Sequence, residues 1–104
     1  LLSYNYFMTD KDSLERSLEL LGSKWTMLII NSLLVKDGRF NEIQRECAIC
    51  PRTLSLRLDE LEKNGIVFKK PSSKITSKVE YSLTKKGRSL KTVLVAISDW
   101  ATVE

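Results

Sequence analysis

The chain has 104 residues, of which 42% are hydrophobic and 29% charged, as in one folded domain rather than a disordered segment. It contains no histidine, which excludes the usual catalytic triad and every metal site that needs imidazole. Because no apolar run reaches about 18 residues and the N-terminus lacks a signal-peptide pattern, we expect a cytoplasmic protein without a membrane segment. We also expect no metal and no cofactor.

The net charge of +4 is unevenly distributed along the chain. Residues 51–91 contain eleven basic and four acidic side chains, a net charge of +7, whereas residues 1–50 carry −1 and residues 92–104 carry −2. Clustered positive charge favours a nucleic acid or an acidic surface as partner. A solvated basic face without a partner is the alternative that charge alone leaves open.

The N-terminal part of the chain is predicted to contain an apolar arm and one amphipathic helix. Residues 1–11 form the arm, and the folded domain is expected to begin at residue 12. Asp12 and Glu15 have the spacing of a capping box at the start of the first helix. Its apolar face recurs at helical spacing and consists of Leu14, Leu18 and Leu21.

The next segment is predicted to be the central helix of the domain. Gly22 ends the first helix, and Ser23 is a suitable N-cap for the second. Residues 24–35 are apolar on most sides, which predicts burial on more than one face, one for the core and one for a dimer contact. Residues 36–38 are expected to form a turn.

Two helices in tandem follow this turn. Phe40, Ile43 and Cys47 have helical spacing on a short helix, and residues 48–50 form a tight connection. Pro51 suits the first position of a helix over residues 51–64, which Asn64 and Gly65 end. The buried face of this second helix is predicted to consist of Leu54, Leu58 and Leu61.

The period then changes to that of strands. Residues 66–70 and 79–83 predict a β-hairpin within residues 66–84, and Thr84 caps a last helix over residues 85–104. The fold class is therefore mainly α with a small β-hairpin wing: a winged helix-turn-helix with additional N- and C-terminal helices. The apolar stripe of the last helix includes Leu90, Val93, Leu94, Ile97 and Trp100.

The helix over residues 51–64 is predicted to be the recognition helix, because the second helix of such a pair enters the major groove with its N-terminal turn. Arginine binds guanine bidentately, and methyl groups contact thymine. A contact within the protein is the alternative for Leu56, and a salt bridge to Glu60 or Glu62 is the alternative for Arg57. The candidate base-contacting residues are Arg52, Thr53, Leu56 and Arg57.

The wing is predicted to bind the DNA backbone. Lys70, Lys74 and Lys78 are expected at the hairpin tip, where an ammonium group reaches phosphates and positions the protein without reading sequence. Plain solvation is the alternative for each lysine.

Several segments resemble HxlR-type transcriptional regulators, a MarR-like winged-helix family, over about residues 12–100. They are LERSLELLGSKWT (14–26), GRFNEI (38–43), PRTLSLRL (51–58), LEKNGIV (61–67) and VEYSLTKKGR (79–88). The resemblance implies a prokaryotic homodimer that binds double-stranded DNA as a repressor or an activator. It also implies that the two chains join through their terminal helices, so the apolar stripe of the last helix is the predicted dimer contact. Many family members sense oxidants through a cysteine-proline pair before the first helix, where this chain has Asp12 and Ser13.

The two cysteines, Cys47 and Cys50, form the only C-x-x-C pair. Two ligands without histidine do not make a structural zinc site. Cys47 lies on the apolar stripe of the short helix and is predicted to be a core residue. Cys50 precedes Pro51 at the cap of the recognition helix, where the helix N-terminus and Arg52 lower a thiol pKa, so it is the first candidate for a redox site and Cys47 the second. Simple occupancy of the cap position is the alternative.

Three functions compete on this basis. The leading hypothesis is a dimeric, sequence-specific DNA-binding regulator, responsive to redox state or to a small molecule that the sequence does not identify. The second is a winged-helix module that binds an acidic protein partner. The third, a small redox enzyme using Cys47 and Cys50, is disfavoured because a thioredoxin-like motif needs an α/β fold around it.

Overall fold

The computed structural model describes residues 10–104, so most of the predicted N-terminal arm lies outside the described residues. The helices are α1 (Lys11–Leu21), α2 (Lys24–Val35), α3 (Phe40–Cys47), α4 (Pro51–Lys63), α5 (Lys85–Arg88) and α6 (Lys91–Ala101). The strands are β1 (Gly38–Arg39), β2 (Val67–Pro71) and β3 (Val79–Leu83). The winged helix-turn-helix order predicted from the sequence is confirmed.

The wing belongs to a three-stranded antiparallel sheet of order β1-β3-β2. In the hairpin, Val67 pairs with Leu83, and Lys70 pairs with Glu80. Strand β1 pairs Gly38 with Tyr81 on the other side of β3. The predicted turn over residues 36–38 is therefore partly wrong. A two-residue strand is too short to show a period, and it forms because β3 offers a free edge.

Helix α2 is the centre of the hydrophobic core. It packs against α1, α3, α4, α6 and β3, as expected of a helix buried on more than one face. Its apolar residues Leu28 and Val35 are exposed. The completely or almost completely buried core residues of α2 and α4 are Ile29, Ile30, Leu33, Leu54, Leu58 and Leu61.

The junction of α1 and α2 follows the predicted capping chemistry at one end only. The Ser23 hydroxyl accepts a hydrogen bond from the Trp25 N–H at 3.2 Å and caps α2. The predicted cap at Asp12 is wrong: α1 begins at Lys11, and the Asp10 carboxylate accepts from the Ser13 N–H.

In residues 10–104 no single helix is long and apolar enough to span a membrane, and α1 and α2 together are bent by 80°.

The predicted last helix is divided into α5 and α6 at residues 89–90. The Thr84 hydroxyl caps α5 by accepting from the Gly87 N–H at 3.0 Å, as predicted, and it also donates to the Gly65 carbonyl. The Gly87 Cα lies directly against the backbone of Ile66. These contacts hold the start of α5 against residues 65–66, directly before β2.

We expect Gly87→Ala to destabilise the fold, because the added Cβ would overlap the carbonyl oxygen of Ile66, a backbone atom that cannot rotate away. Overpacking of this kind costs about 1–3 kcal/mol of unfolding free energy. Urea denaturation followed by circular dichroism measures it. Lys85→Ala, an exposed change in the same helix, is the control, and equal midpoints for the two variants would contradict the close packing.

Candidate nucleic-acid interface

The buried leucines of α4 decide which of its side chains reach solvent. Leu54, Leu58 and Leu61 are at most 1% exposed, while Leu56 on the opposite side is 60% exposed. Arg52 in the first turn is also exposed. An exposed leucine next to an exposed arginine has no packing function in the single chain, which is the arrangement expected of a surface that meets another molecule.

Arg57 is engaged within the protein. Its Nη1 atom lies 3.7 Å from Oε1 of Glu60, one turn along α4. Its Nε is buried and has no hydrogen-bond partner among the described residues. The alternative considered for Arg57, a salt bridge to Glu60, is therefore the state of the single chain.

The Cys50 thiol and the Thr53 hydroxyl form a pair at the start of α4. The Sγ and Oγ1 atoms are 3.1 Å apart, and Cys50 is exposed. The hydrogen bonds from the hydroxyl and backbone of Thr53 hold the pKa of Cys50 below its ordinary value, and the backbone and charge of Arg52 add to this. Cys50 occupies the N-cap position, as predicted, and its thiolate is favoured there.

Cys47 has the opposite environment. It is buried in the core, and its Sγ lies 3.6 Å from the carbonyl oxygen of Leu28. Burial raises its pKa, and the negative charge of Glu46 raises it further. The prediction that Cys47 is a core residue is confirmed. Among residues 10–104 no cluster of three His, Cys, Asp or Glu side chains could hold a metal ion.

The tip of the wing, residues 72–78, is an ordered turn built around Ser72. The Ser72 hydroxyl is buried and accepts hydrogen bonds from the N–H groups of Lys74 and Ile75, both at 3.2 Å. The Ser72 N–H donates to the carbonyl of Lys78 at 2.9 Å. Lys74 and Lys78 are both exposed. Both lysines therefore extend into solvent from a turn whose backbone is fixed by hydrogen bonds.

Lys70 lies elsewhere than expected. It belongs to β2, one residue before the last pair of the hairpin ladder, and its Nζ is 2.5 Å from Oδ2 of Asp37. Burial by itself would raise the pKa of Asp37, but hydrogen bonds from Lys70 and Ser82 and the charges of Lys70 and Arg88 outweigh it and lower the pKa. The predicted position of Lys70 at the tip is wrong. Lys70 still pairs with Glu80 in the β2–β3 ladder, and the loop begins only after Pro71.

A groove of about 310 Å³ lies between the start of α3 and the wing. The groove forms because β1 brings Arg39 next to β3. The sequence did not predict it, because a strand of two residues is too short to show an alternating pattern. The Arg39 N–H donates to Oε1 of Glu42 at 2.9 Å, which fixes the start of α3. The groove is lined by Arg39, Phe40, Asn41, Lys78, Val79 and Tyr81.

The predicted dimer contact on α6 divides into two sets. Leu90 and Leu94 are half-buried and pack against the core of their own chain, so less of their surface is open to a second copy. Val93, Ile97 and Trp100 are 41%, 51% and 76% exposed and line an apolar groove of about 470 Å³. The sequence does not distinguish the two sets because all five residues are apolar and the stripe is broader than one contact face.

A helix pair whose second helix exposes its N-terminal turn, followed by a β-hairpin, defines a winged helix-turn-helix protein. A family model described as HxlR-like helix-turn-helix matches residues 20–104. This chain belongs to the HxlR-like helix-turn-helix family, and the resemblance seen in the sequence is confirmed.

Relatives and solved structures agree with this family. The HTH-type transcriptional regulator YybR of Bacillus subtilis is 38% identical over 87 residues, which are 83% of this chain and 70% of YybR. The reduced form of the transcriptional regulator YodB of B. subtilis matches with a TM-score of 0.78 and 38% identity, covering 90% of this chain and 92% of that chain. The redox regulator HypR in its reduced form matches with a TM-score of 0.75 and 37% identity, covering 85% and 88%.

We expect iodoacetamide to alkylate Cys50 before Cys47, because only Cys50 is exposed and only its pKa is lowered. The lowered pKa places thiolate formation, and hence the rise of the alkylation rate, at a lower pH than for an ordinary thiol. Thr53→Val removes the hydroxyl and should move this rise to higher pH. The rate is measured by mass spectrometry against pH.

Cys47→Ser is the matched control and should leave the Cys50 profile unchanged. In urea the profiles of the wild type and of Thr53→Val should coincide, since the pair exists only in the folded chain. A Thr53→Val profile equal to that of the folded wild type would disprove the role of the hydroxyl.

Proposed function

We propose that this protein is a homodimeric transcriptional regulator that binds a pseudo-palindromic DNA site, either as a repressor or as an activator. The observation that carries the proposal is the orientation of α4, whose leucine stripe is buried and whose first turn exposes Arg52 next to Leu56. In helix-turn-helix proteins this end of the second helix enters the major groove. Binding there would block or redirect transcription from a nearby promoter.

Within this proposal, base reading and backbone binding fall to different elements. Arg52 is exposed and has no salt bridge among the described residues, so its guanidinium is available for the O6 and N7 atoms of a guanine. Leu56 and the methyl group of Thr53 are suited to a thymine methyl group. Lys74 and Lys78 supply phosphate contacts from the wing. Arg57 joins the base contacts only if DNA displaces it from Glu60.

A second subunit is supported by exposed apolar residues on the terminal helices. Val93, Ile97 and Trp100 line one groove of α6, and on α1 Leu14 and Leu18 are 45% and 56% exposed. A surface of this kind is typical of an interface. A two-fold axis through it would place the two copies of α4 in successive major grooves, about 34 Å apart.

We expect Arg52→Ala to relax sequence preference and Lys74→Ala to weaken binding to all duplexes equally. Loss of a bidentate contact to guanine removes about 1–3 kcal/mol of discrimination at one position. Loss of one phosphate contact reduces the slope of log K against log[salt] by about 0.9. Fluorescence anisotropy with a selected duplex and a scrambled duplex, at several salt concentrations, measures both effects.

The opposite pattern, with Lys74→Ala losing preference and Arg52→Ala losing only salt dependence, would overturn the assignment of roles. If wild-type protein binds no duplex better than random DNA, the basic surface serves an acidic protein partner, the second function considered from the sequence.

We expect Ile97→Asp to abolish the dimer, because a carboxylate in a desolvated apolar interface has no compensating partner. Sedimentation equilibrium reports the mass. Val35→Asp is the matched control, since Val35 is an equally apolar and more exposed residue (77%) on α2. A dimeric Ile97→Asp protein would exclude α6 as the contact, and a monomeric Val35→Asp protein would place the contact on α2.

A redox response through Cys50 is part of the proposal. HypR is described as a redox regulator and YodB has been solved in a diamide-treated form. In this chain the exposed thiol lies one residue before α4 and two before Arg52, so any group attached to sulfur occupies the surface that reads DNA. Alkylated protein should lose specific DNA binding, and Cys50→Ser protein treated in the same way should retain it.

A further inference from the structure

The carboxylate of Asp37 lies where several parts of the domain meet. Its Oδ2 binds the ammonium of Lys70 in β2, and its Oδ1 lies 4.0 Å from Nη2 of Arg88 in α5. Asp37 precedes the Gly38–Tyr81 pair and so lies beside Ser82 in β3, which helps to lower its pKa. Asp37 itself stands directly before β1, which leads into α3. One side chain thus connects the entrance of the helix-turn-helix, both strands of the wing and α5.

The Asp37 cluster, which consists of Asp37, Lys70, Ser82 and Arg88, lies on the face of the sheet opposite to the hydrophobic core. Val67 and Leu83 are paired and point into the core. Because successive side chains of a strand alternate between the two faces, Lys70 and Ser82 point to the other side. Apolar packing of Val67 and Leu83 therefore secures one face of the wing at its base, and the Asp37–Lys70 pair secures the opposite face close to the tip.

The tip depends on strands β2 and β3 for its position. Its hydrogen bonds through Ser72 are internal to residues 72–78, and among the described residues neither Lys74 nor Lys78 forms a salt bridge. Among the described residues the hairpin has one other salt bridge to a helix, between Lys69 Nζ and Oε1 of Glu62 on α4, at 3.8 Å. A small rotation of the strands at Lys69 and Lys70 is therefore transmitted to the tip and its two exposed lysines.

We propose that Asp37 is a positioning residue for DNA binding: it fixes the angle of the wing so that Lys74 and Lys78 reach the phosphate backbone together. This inference rests on the proposed function. It also explains why Lys70, which the sequence assigns to DNA, serves the protein instead.

The proposal predicts an effect opposite in sign to that of charge alone. An acidic group near a DNA-binding surface repels phosphates, so its neutralisation should strengthen binding if Asp37 acts only through its charge. If Asp37 positions the wing, its neutralisation should weaken binding although the net charge of the protein rises. The sign of the change in DNA affinity therefore distinguishes a positioning role of Asp37 from an effect of its charge alone.

The experiment compares wild type, Asp37→Asn and Glu15→Gln in salt titrations of duplex binding. Loss of two phosphate contacts should make the slope of log K against log[salt] about 1.8 less steep and reduce affinity at 0.1 M salt by up to roughly 60-fold. Partial unfolding would reduce affinity at every salt concentration and leave the slope unchanged. Glu15→Gln changes the net charge equally in the exposed Lys11–Glu15 pair on α1 and should leave the slope as in wild type.

A slope for Asp37→Asn that is at least one unit less steep supports the proposal, and a smaller change or a steeper slope overturns it. If Asp37→Asn does not fold, Lys70→Met removes the other half of the pair. The slope of log K against log[salt] for Lys70→Met must become less steep by more than about 0.9, the change that the loss of one phosphate contact explains. If wild-type protein itself binds DNA without salt dependence, the proposed function fails, and that outcome is distinct from failure of the role of Asp37.

Discussion

The orientation of α4 on the core is the constraint on which the remaining structure depends. Leu54, Leu58 and Leu61 are buried with the residues of α2, and burial of each leucine contributes about 1.5–3 kcal/mol. Rotation of α4 by even 100° would expose part of this stripe. The same free energy that folds the domain therefore also decides that Arg52 and Leu56 face outward, and no separate interaction is needed to present them.

The pairing of charges within the protein determines which basic side chains remain available to a partner. The segment over residues 51–91 has a large positive excess, but the fold commits several of these cations to carboxylates. Arg57 pairs with Glu60, Lys69 with Glu62, and both Lys70 and Arg88 with Asp37. The basic residues of this segment that form no salt bridge within residues 10–104 are Arg52, Lys63, Lys74, Lys78, Lys85, Lys86 and Lys91. The positive charge that remains available to DNA is thus smaller than the composition indicates.

The two thiols show how one fold gives the same chemical group two behaviours. Cys47 lies in the core, where loss of solvent disfavours the thiolate. Cys50 is three residues further on, at an exposed helix start where hydrogen bonds and positive charge favour it. Both cysteines flank the turn between α3 and α4, in which Ala48 adopts a left-handed conformation (φ 52°). Any chemistry at Cys50 therefore takes place next to a turn that sets the angle between the two helices.

The amino-acid sequence by itself determined the order of elements, the buried leucines of α4, the position of Cys50 at a helix start and the family. These follow from periodicity and capping, which act over a few residues and leave a local pattern. Only the tertiary structure decided that Lys70 binds Asp37, that Arg57 binds Glu60, that Leu90 and Leu94 face their own core, and that residues 38–39 form a strand. The Lys70 pairing, the burial of Leu90 and Leu94 and strand β1 depend on elements distant in the chain. For Arg57, the sequence offered both DNA and Glu60 as partners, and the packing of α4 determined which of the two the side chain reaches.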